Sequence, residues 1–181
     1  MTSAGGVLLD TSFFMHLLDS NKEWNQHARL YMQFFMNNSW KMYLSTIVIA
    51  EWCVRGSIDE LPLANLEIVP FNVSHGTRAG DFTRVALVNR QGNSPGERTI
   101  VKNDTKLFAQ ADLTKGVTHY LTSDDKSKDE MYDRVAGMSP PPSFKFISLC
   151  LPPEDTFAVP RPRLMGVTGD LFSSLPQVNP K

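Results

Sequence analysis

Residues 101–125 read VKNDTKLFAQADLTKGVTHYLTSDD. From Asn103 the residues favour a helix and Gly116 stops it, so a helix is predicted over 103–116 with Asp104 in its first turn. VTHYLTS (117–123) then reads as a short β-rich run, and Asp124 follows it directly. A helix feeding a strand, with one acid where the helix begins and another just past the strand, is half of a parallel βαβ unit.

The same alternation extends outward through the chain. VLLD (7–10) reads as a first strand that ends in an acid, and FFMHLLD (13–19) has helical spacing. In residues 23–38, Trp24, Ala28, Tyr31, Met32 and Phe35 fall on one helical stripe. KMYLS (41–45) is a second strand. TIVIAEWCVRG (46–56) reads mostly as helix, because Ala50, Glu51 and Trp52 break any alternation and Gly56 supplies a stop. LEIVPF (66–71) is a third strand, and 74–90 a helix with Ala79, Phe82, Ala86 and Leu87 on one side. QGNSPGER (91–98) reads as a loop and FKFISL (144–149) as a fifth strand. Short apolar strands alternating with helices predict an α/β fold: three layers, α/β/α, around a parallel sheet of about five strands. The domain covers 1–150. Residues 151–181 carry six prolines, which exclude regular structure over most of that length. They predict an extended arm anchored by Phe157, Leu164, Met165, Leu171 and Phe172.

The totals exclude several classes. With 181 residues the chain builds one domain with a real core. A net charge of −1 gives no global basic field, so any nucleic-acid contact must be local. Cys53 and Cys150 lie in apolar contexts and are read as reduced core thiols, and Trp24, Trp40 and Trp52 as core. The four histidines show no zinc spacing. No run approaches the ~20 apolar residues of a membrane span, and MTSAGGVLLD lacks the basic and apolar regions of a signal peptide. A cytoplasmic protein with no membrane contact is expected.

Four acids then stand out by position. In an open α/β sheet, sites form beyond the carboxyl ends of the strands, near the switch in strand order. Asp10 ends strand one, Asp124 follows strand four, Asp104 lies on the helix entering strand four, and Glu51 lies on the helix after strand two. Each has a purely structural alternative: a helix cap, a dipole partner, a turn residue or a solvent-facing acid. Together they predict convergence at one rim of the sheet. Two carboxylates ~4 Å apart repel by about 4 kcal/mol at an effective dielectric near 20, so such a cluster calls for a cation. Hard oxygen donors with room for water suit Mg²⁺ or Mn²⁺, which share their remaining positions with phosphate. The expected chemistry is phosphodiester hydrolysis.

VLLDTSFFMHLLD, STIVIAEW, NDTKLFAQA and YLTSDD, in that order, resemble the four acidic motifs of the PIN domain family, over about residues 6–150. The resemblance implies a metal-dependent ribonuclease, similar to the VapC toxins of toxin–antitoxin pairs. It implies Asp10, Glu51, Asp104 and Asp124 as metal ligands. Ser12 and Thr122 become hydroxyls that orient a carboxylate or a water, and Asp125 is a spare acid. It also implies a homodimer and, for toxin members, a small antitoxin protein as partner. The chain is longer than those toxins, and its proline-rich arm has no counterpart in their pattern. Asn103 and Thr105 replace apolar residues common around the third acid.

Lys102, Lys106, Arg98 and Lys126 flank the third and fourth acids and are read as steering an RNA backbone toward them, against the alternative of a solvated face. FFMHLL and YMQFFM carry surplus hydrophobe that fits a dimer face. A haloacid-dehalogenase phosphatase needs D-x-D where this chain has Ser12, and a receiver domain needs a second acid near the first strand. The remaining alternative is a non-catalytic PIN-like module that binds RNA or a protein.

Overall fold

The computed structural model describes residues 5–88, 97–125 and 131–158, with the backbone alone for 88 and 97–103. Five strands form one sheet: β1 (Gly6–Leu9), β2 (Lys41–Ser45), β3 (Glu67–Val69), β4 (His119–Thr122) and β5 (Lys145–Ser148). Their order is β3-β2-β1-β4-β5, with every neighbouring pair parallel. β1 lies at the centre and is buried along its whole length, as the unbroken apolar run GVLL requires of a strand covered on both faces.

The flanking helices are α1 (Thr11–Leu18), α2 (Asn25–Asn37), α3 (Thr46–Trp52), α4 (Val73–Val88), α5 (Glu97–Leu113), α6 (Asp133–Ala136) and α7 (Pro153–Phe157). α1 packs on α2, and α4 on α5. The three-layer α/β/α fold with a five-stranded parallel sheet is therefore present as read from the sequence.

The α2 stripe buries Ala28, Tyr31, Met32 and Phe35. On α4, Ala79, Phe82 and Ala86 are buried, whereas Leu87 is exposed. Only a glycine fits at the start of β1: a Cβ on Gly6 would stand 2.0 Å from the Gly116 carbonyl oxygen, and Gly116 itself has φ +95°.

Several expectations change. α5 begins at Glu97, so Asp104 lies two turns inside the helix and not in its first turn. After Pro95-Gly96 no further glycine or proline interrupts residues 97–102, so the helix starts there despite the β-branched Thr99, Ile100 and Val101. The loop expected at 91–98 therefore ends by Glu97, and its residues 91–96 lie outside the described residues.

Both cysteines are free, but Cys53 is exposed and Cys150 half-buried, so neither is a core thiol. Cys53 caps the C-terminus of α3, where the chain leaves the core. The three tryptophans are partly buried and pack against the core from outside it.

The aromatic surplus in the first two helices is consumed internally. Phe13, Phe14, Leu17, Tyr31 and Phe35 are buried in the chain's own core. Phe34 stacks on Phe157 of α7 with centroids 4.7 Å apart, and Tyr31 Oη shares a 2.6 Å hydrogen bond with Thr156 Oγ1. The start of the proline-rich segment is thus a short helix docked on α2. Residues 159–181, with the anchors Leu164, Met165, Leu171 and Phe172, lie outside the described residues.

Candidate active site

β1 and β4 are neighbours, and their carboxyl ends form the rim where Asp10 emerges. The Asp10 amide donates to the Leu121 carbonyl at 3.0 Å, extending the β1–β4 ladder to the site. Asp10 is also the N-cap of α1, with extended backbone and a side chain that accepts from the Ser12 amide at 3.4 Å. Two hydroxyls, Ser12 Oγ and Thr122 Oγ1, each donate to the same carboxylate oxygen at 2.7 Å. The two hydroxyls stand 3.1 Å apart. The Ser123 amide donates to Ser12 Oγ at 3.0 Å, and the Asp124 amide to Thr122 Oγ1 at 3.1 Å. One oxygen of Asp10 is thereby fixed by donors from α1 and β4, and the backbone of Asp124 is tied to the same hydroxyl.

Glu51 comes from the last turn of α3. Its Oε2 accepts from Thr11 Oγ1, the residue next to Asp10. α3 itself is capped by Ser45, the last residue of β2, whose Oγ accepts from the Ile47 amide at 2.9 Å.

Asp104 is half-buried on α5. Phe108, one turn further on the same helical face, packs edge-on against Tyr120 of β4 with centroids 5.2 Å apart. Tyr120 is almost wholly buried and alternates onto the same side of β4 as Thr122. Burial, the charges of Asp10 and Asp104, a hydrogen bond to Asp10 and the charge of Glu51 together push its hydroxyl well above the usual tyrosine range. Three of the four acids act on this one hydroxyl. Asp124 reaches the rim through its backbone bond to Thr122.

Asp125 is directed elsewhere: Ser148 Oγ donates to one of its oxygens at 2.9 Å and Cys150 Sγ to the other at 3.5 Å. Lys106 is half-buried, about 200° around α5 from Asp104, and so on a different face of the helix. The side chains of Arg98 and Lys102, and all of Lys126, lie outside the described residues.

Two participants were not assigned from the sequence. Thr11 sits inside the first acidic motif, but only the fold brings Glu51 to it. Tyr120 was legible in principle, since it shares a strand face with Thr122. Among the described residues, no three Asp, Glu, His or Cys side chains stand together as a group ready to hold a metal. By donor chemistry the set does suit a hard divalent ion, because every candidate ligand is a carboxylate oxygen.

A cavity of about 600 Å³ adjoins the rim on the Glu51 side, lined in part by Thr11, Met15, Lys22, Glu51, Trp52 and Arg55.

No protein-family model matches the sequence, and no curated protein matches it. Solved structures do. One is VapBC2 from Rickettsia felis bound to a DNA fragment from its promoter. It matches with TM-score 0.52 and 16% identity over 79% of this chain and 98% of that one. Another is DNA-bound VapBC from Salmonella typhimurium, with TM-score 0.51 and 15% identity over 81% and 99%. The protein thus has the PIN-type α/β fold, in agreement with the resemblance carried by its four acidic motifs.

Proposed function

We propose that the protein is a metal-dependent endoribonuclease, the toxin of a toxin–antitoxin pair. The observation that carries this proposal is the joining of distant acidic motifs at the rim where β1 and β4 end: Thr122 Oγ1 donates to Asp10 Oδ2, and Thr11, next to Asp10, donates to Glu51. Asp10, Glu51, Asp104 and Asp124 would hold Mg²⁺ or Mn²⁺. The ion, when bound, would supply a water of lowered pKa and a counter-charge for the leaving oxyanion.

The chain's own residues do the positioning. Ser12 and Thr122 fix one oxygen of Asp10. Thr11 orients Glu51 in the same way. Arg98, Lys102 and Lys126 are proposed to contact the RNA backbone, whereas Lys106 faces away from Asp104 and is left out of that contact. The partner protein is proposed from the VapBC complexes with which the fold is shared. Among the described residues no helix is long and apolar enough to cross a membrane.

Cleavage of end-labelled single-stranded RNA with Mn²⁺ tests the activity, with Asp10→Asn as the control. Loss of cleavage in the variant is the expected result, and identical traces for the two proteins overturn it. A non-catalytic RNA- or protein-binding module is the second reading. It is favoured by the lack, among the described residues, of a ready three-ligand metal group, and it predicts no cleavage by either protein.

A further inference from the structure

The cavity beside Glu51 has a feature that the acids do not use. Trp52 is half-buried and lines it. Its indole N–H is already satisfied by the Ser57 carbonyl at 3.0 Å, which fixes the ring. Gly56 permits that arrangement, since a Cβ there would lie 2.8 Å from Trp52 Nε1. A ring held this way is a preorganised flat surface that needs no polar partner from a ligand. Two cations, Lys22 and Arg55, stand on the same cavity, and neither forms an ion pair among the described residues. Asp19 and Glu60 face it too and, as acceptors, favour a base edge that donates. The cavity continues into the carboxylate rim through Thr11 and Glu51, so an RNA whose phosphate lay at the acids would place a neighbouring nucleotide here.

We propose that this cavity is a subsite for one unpaired nucleotide of the RNA, with the base stacked on Trp52 and the flanking phosphates met by Arg55 and Lys22. This rests on the ribonuclease proposal for the substrate class and extends it to how the strand is gripped. Unpaired bases stacked on aromatic rings are the usual means of holding single-stranded RNA. A volume of about 600 Å³ is of the size that encloses such a ligand.

The test reads binding without cleavage, in full-length protein carrying Asp10→Asn, with a cytidine pentaribonucleotide whose N4 amino group donates. Trp52→Ala is expected to weaken binding roughly ten- to hundredfold, the range of one base–aromatic stack. Trp52→Phe is expected to keep most of the affinity. RNA should quench tryptophan emission in the Asp10→Asn protein, and Trp52→Phe should remove most of that quenching, since Trp24 and Trp40 lie elsewhere. Arg55→Ala should lower the slope of log affinity against log salt by about 0.7, one single-strand phosphate contact.

Circular dichroism confirms that each variant is folded. Quenching that persists in Trp52→Phe, or RNA binding unchanged in folded Trp52→Ala, overturns the proposal, as does an absence of RNA binding in the Asp10→Asn protein. Binding with the expected pattern in a protein that never cuts RNA would end the nuclease proposal and leave the subsite standing. Cleavage without any effect at Trp52 would do the reverse.

Discussion

Thr122 Oγ1 donates to Asp10 Oδ2 at 2.7 Å, joining residues 112 apart in the chain. The bond spans the carboxyl ends of two adjacent parallel strands, and the same hydroxyl accepts from the Asp124 amide. It is the closest physical link between the first and fourth acidic motifs.

Replacing that hydroxyl isolates its role. Thr122→Val keeps the shape and the strand preference but removes the donor. Loss of a group that orients a metal ligand typically costs ten- to a hundredfold in affinity. Mn²⁺ titration by calorimetry should register a weakening of about that size, with cleavage falling in parallel. Unchanged Mn²⁺ affinity in Thr122→Val would mean the hydroxyl does not serve the metal.

Asp10→Asn should abolish cleavage while leaving the protein folded. Asn keeps a side-chain oxygen for the Ser12 and Thr122 donors and can still cap α1. The variant also removes one charge from a set of carboxylates, so thermal stability without metal should hold or rise. A large fall in melting temperature would show that the charge itself holds the rim together.

A buried ion pair away from the rim offers a stability test. Arg78 Nε meets Asp112 Oδ2 at 2.6 Å, with the two side chains only 12% and 7% exposed. Asp112 also accepts from the Ser143 amide at 2.6 Å, tying α5 to the segment before β5. Asp112→Ala leaves Arg78 buried without its partner and should destabilise by about 3–5 kcal/mol in urea titration.

His119 sets an acid limit. Burial first, and then the Lys145 charge, push its pKa down to about 4. The ring packs against Trp40 and Phe157 at centroid distances of 5.0 and 5.8 Å. A histidine with a folded pKa below its unfolded value binds protons more readily when unfolded. Its contribution is therefore full above about pH 6.5 and is lost as pH falls toward the folded value of about 4. Melting temperature should drop across that window, and His119→Gln should flatten the drop.

Much of this was legible because local and global signals agree. KMYLS was read as strand and is β2 without a residue's difference. The buried stripe of α2 followed from spacing alone. Asp10 was placed by the end of an apolar run, which burial in a central strand demands. The misplaced start of α5 has a definite cause: Asn103-Asp104 carries the signature of a helix beginning and Thr99-Ile100-Val101 are β-branched, yet no glycine or proline after Gly96 stops the helix from extending upstream to Glu97. Cys53 has apolar neighbours in sequence, but it caps the end of α3 where the chain leaves the core, and Trp52 in the last turn packs on the core from outside. The roles of Tyr120 and Thr11 depend on which distant acid the fold delivers to them, and no spacing in the sequence records that.

The placement of β4 beside β1 has a consequence during synthesis. Asp10 leaves the ribosome 112 residues before the Thr122 hydroxyl that fixes its carboxylate, and the outer strand β5 follows later still, ending at Ser148. A nascent chain lacking those residues has no assembled rim, whatever its first hundred residues have already folded into. Any ability to damage RNA would therefore wait until β4 and its Thr122 hydroxyl have emerged and paired with β1.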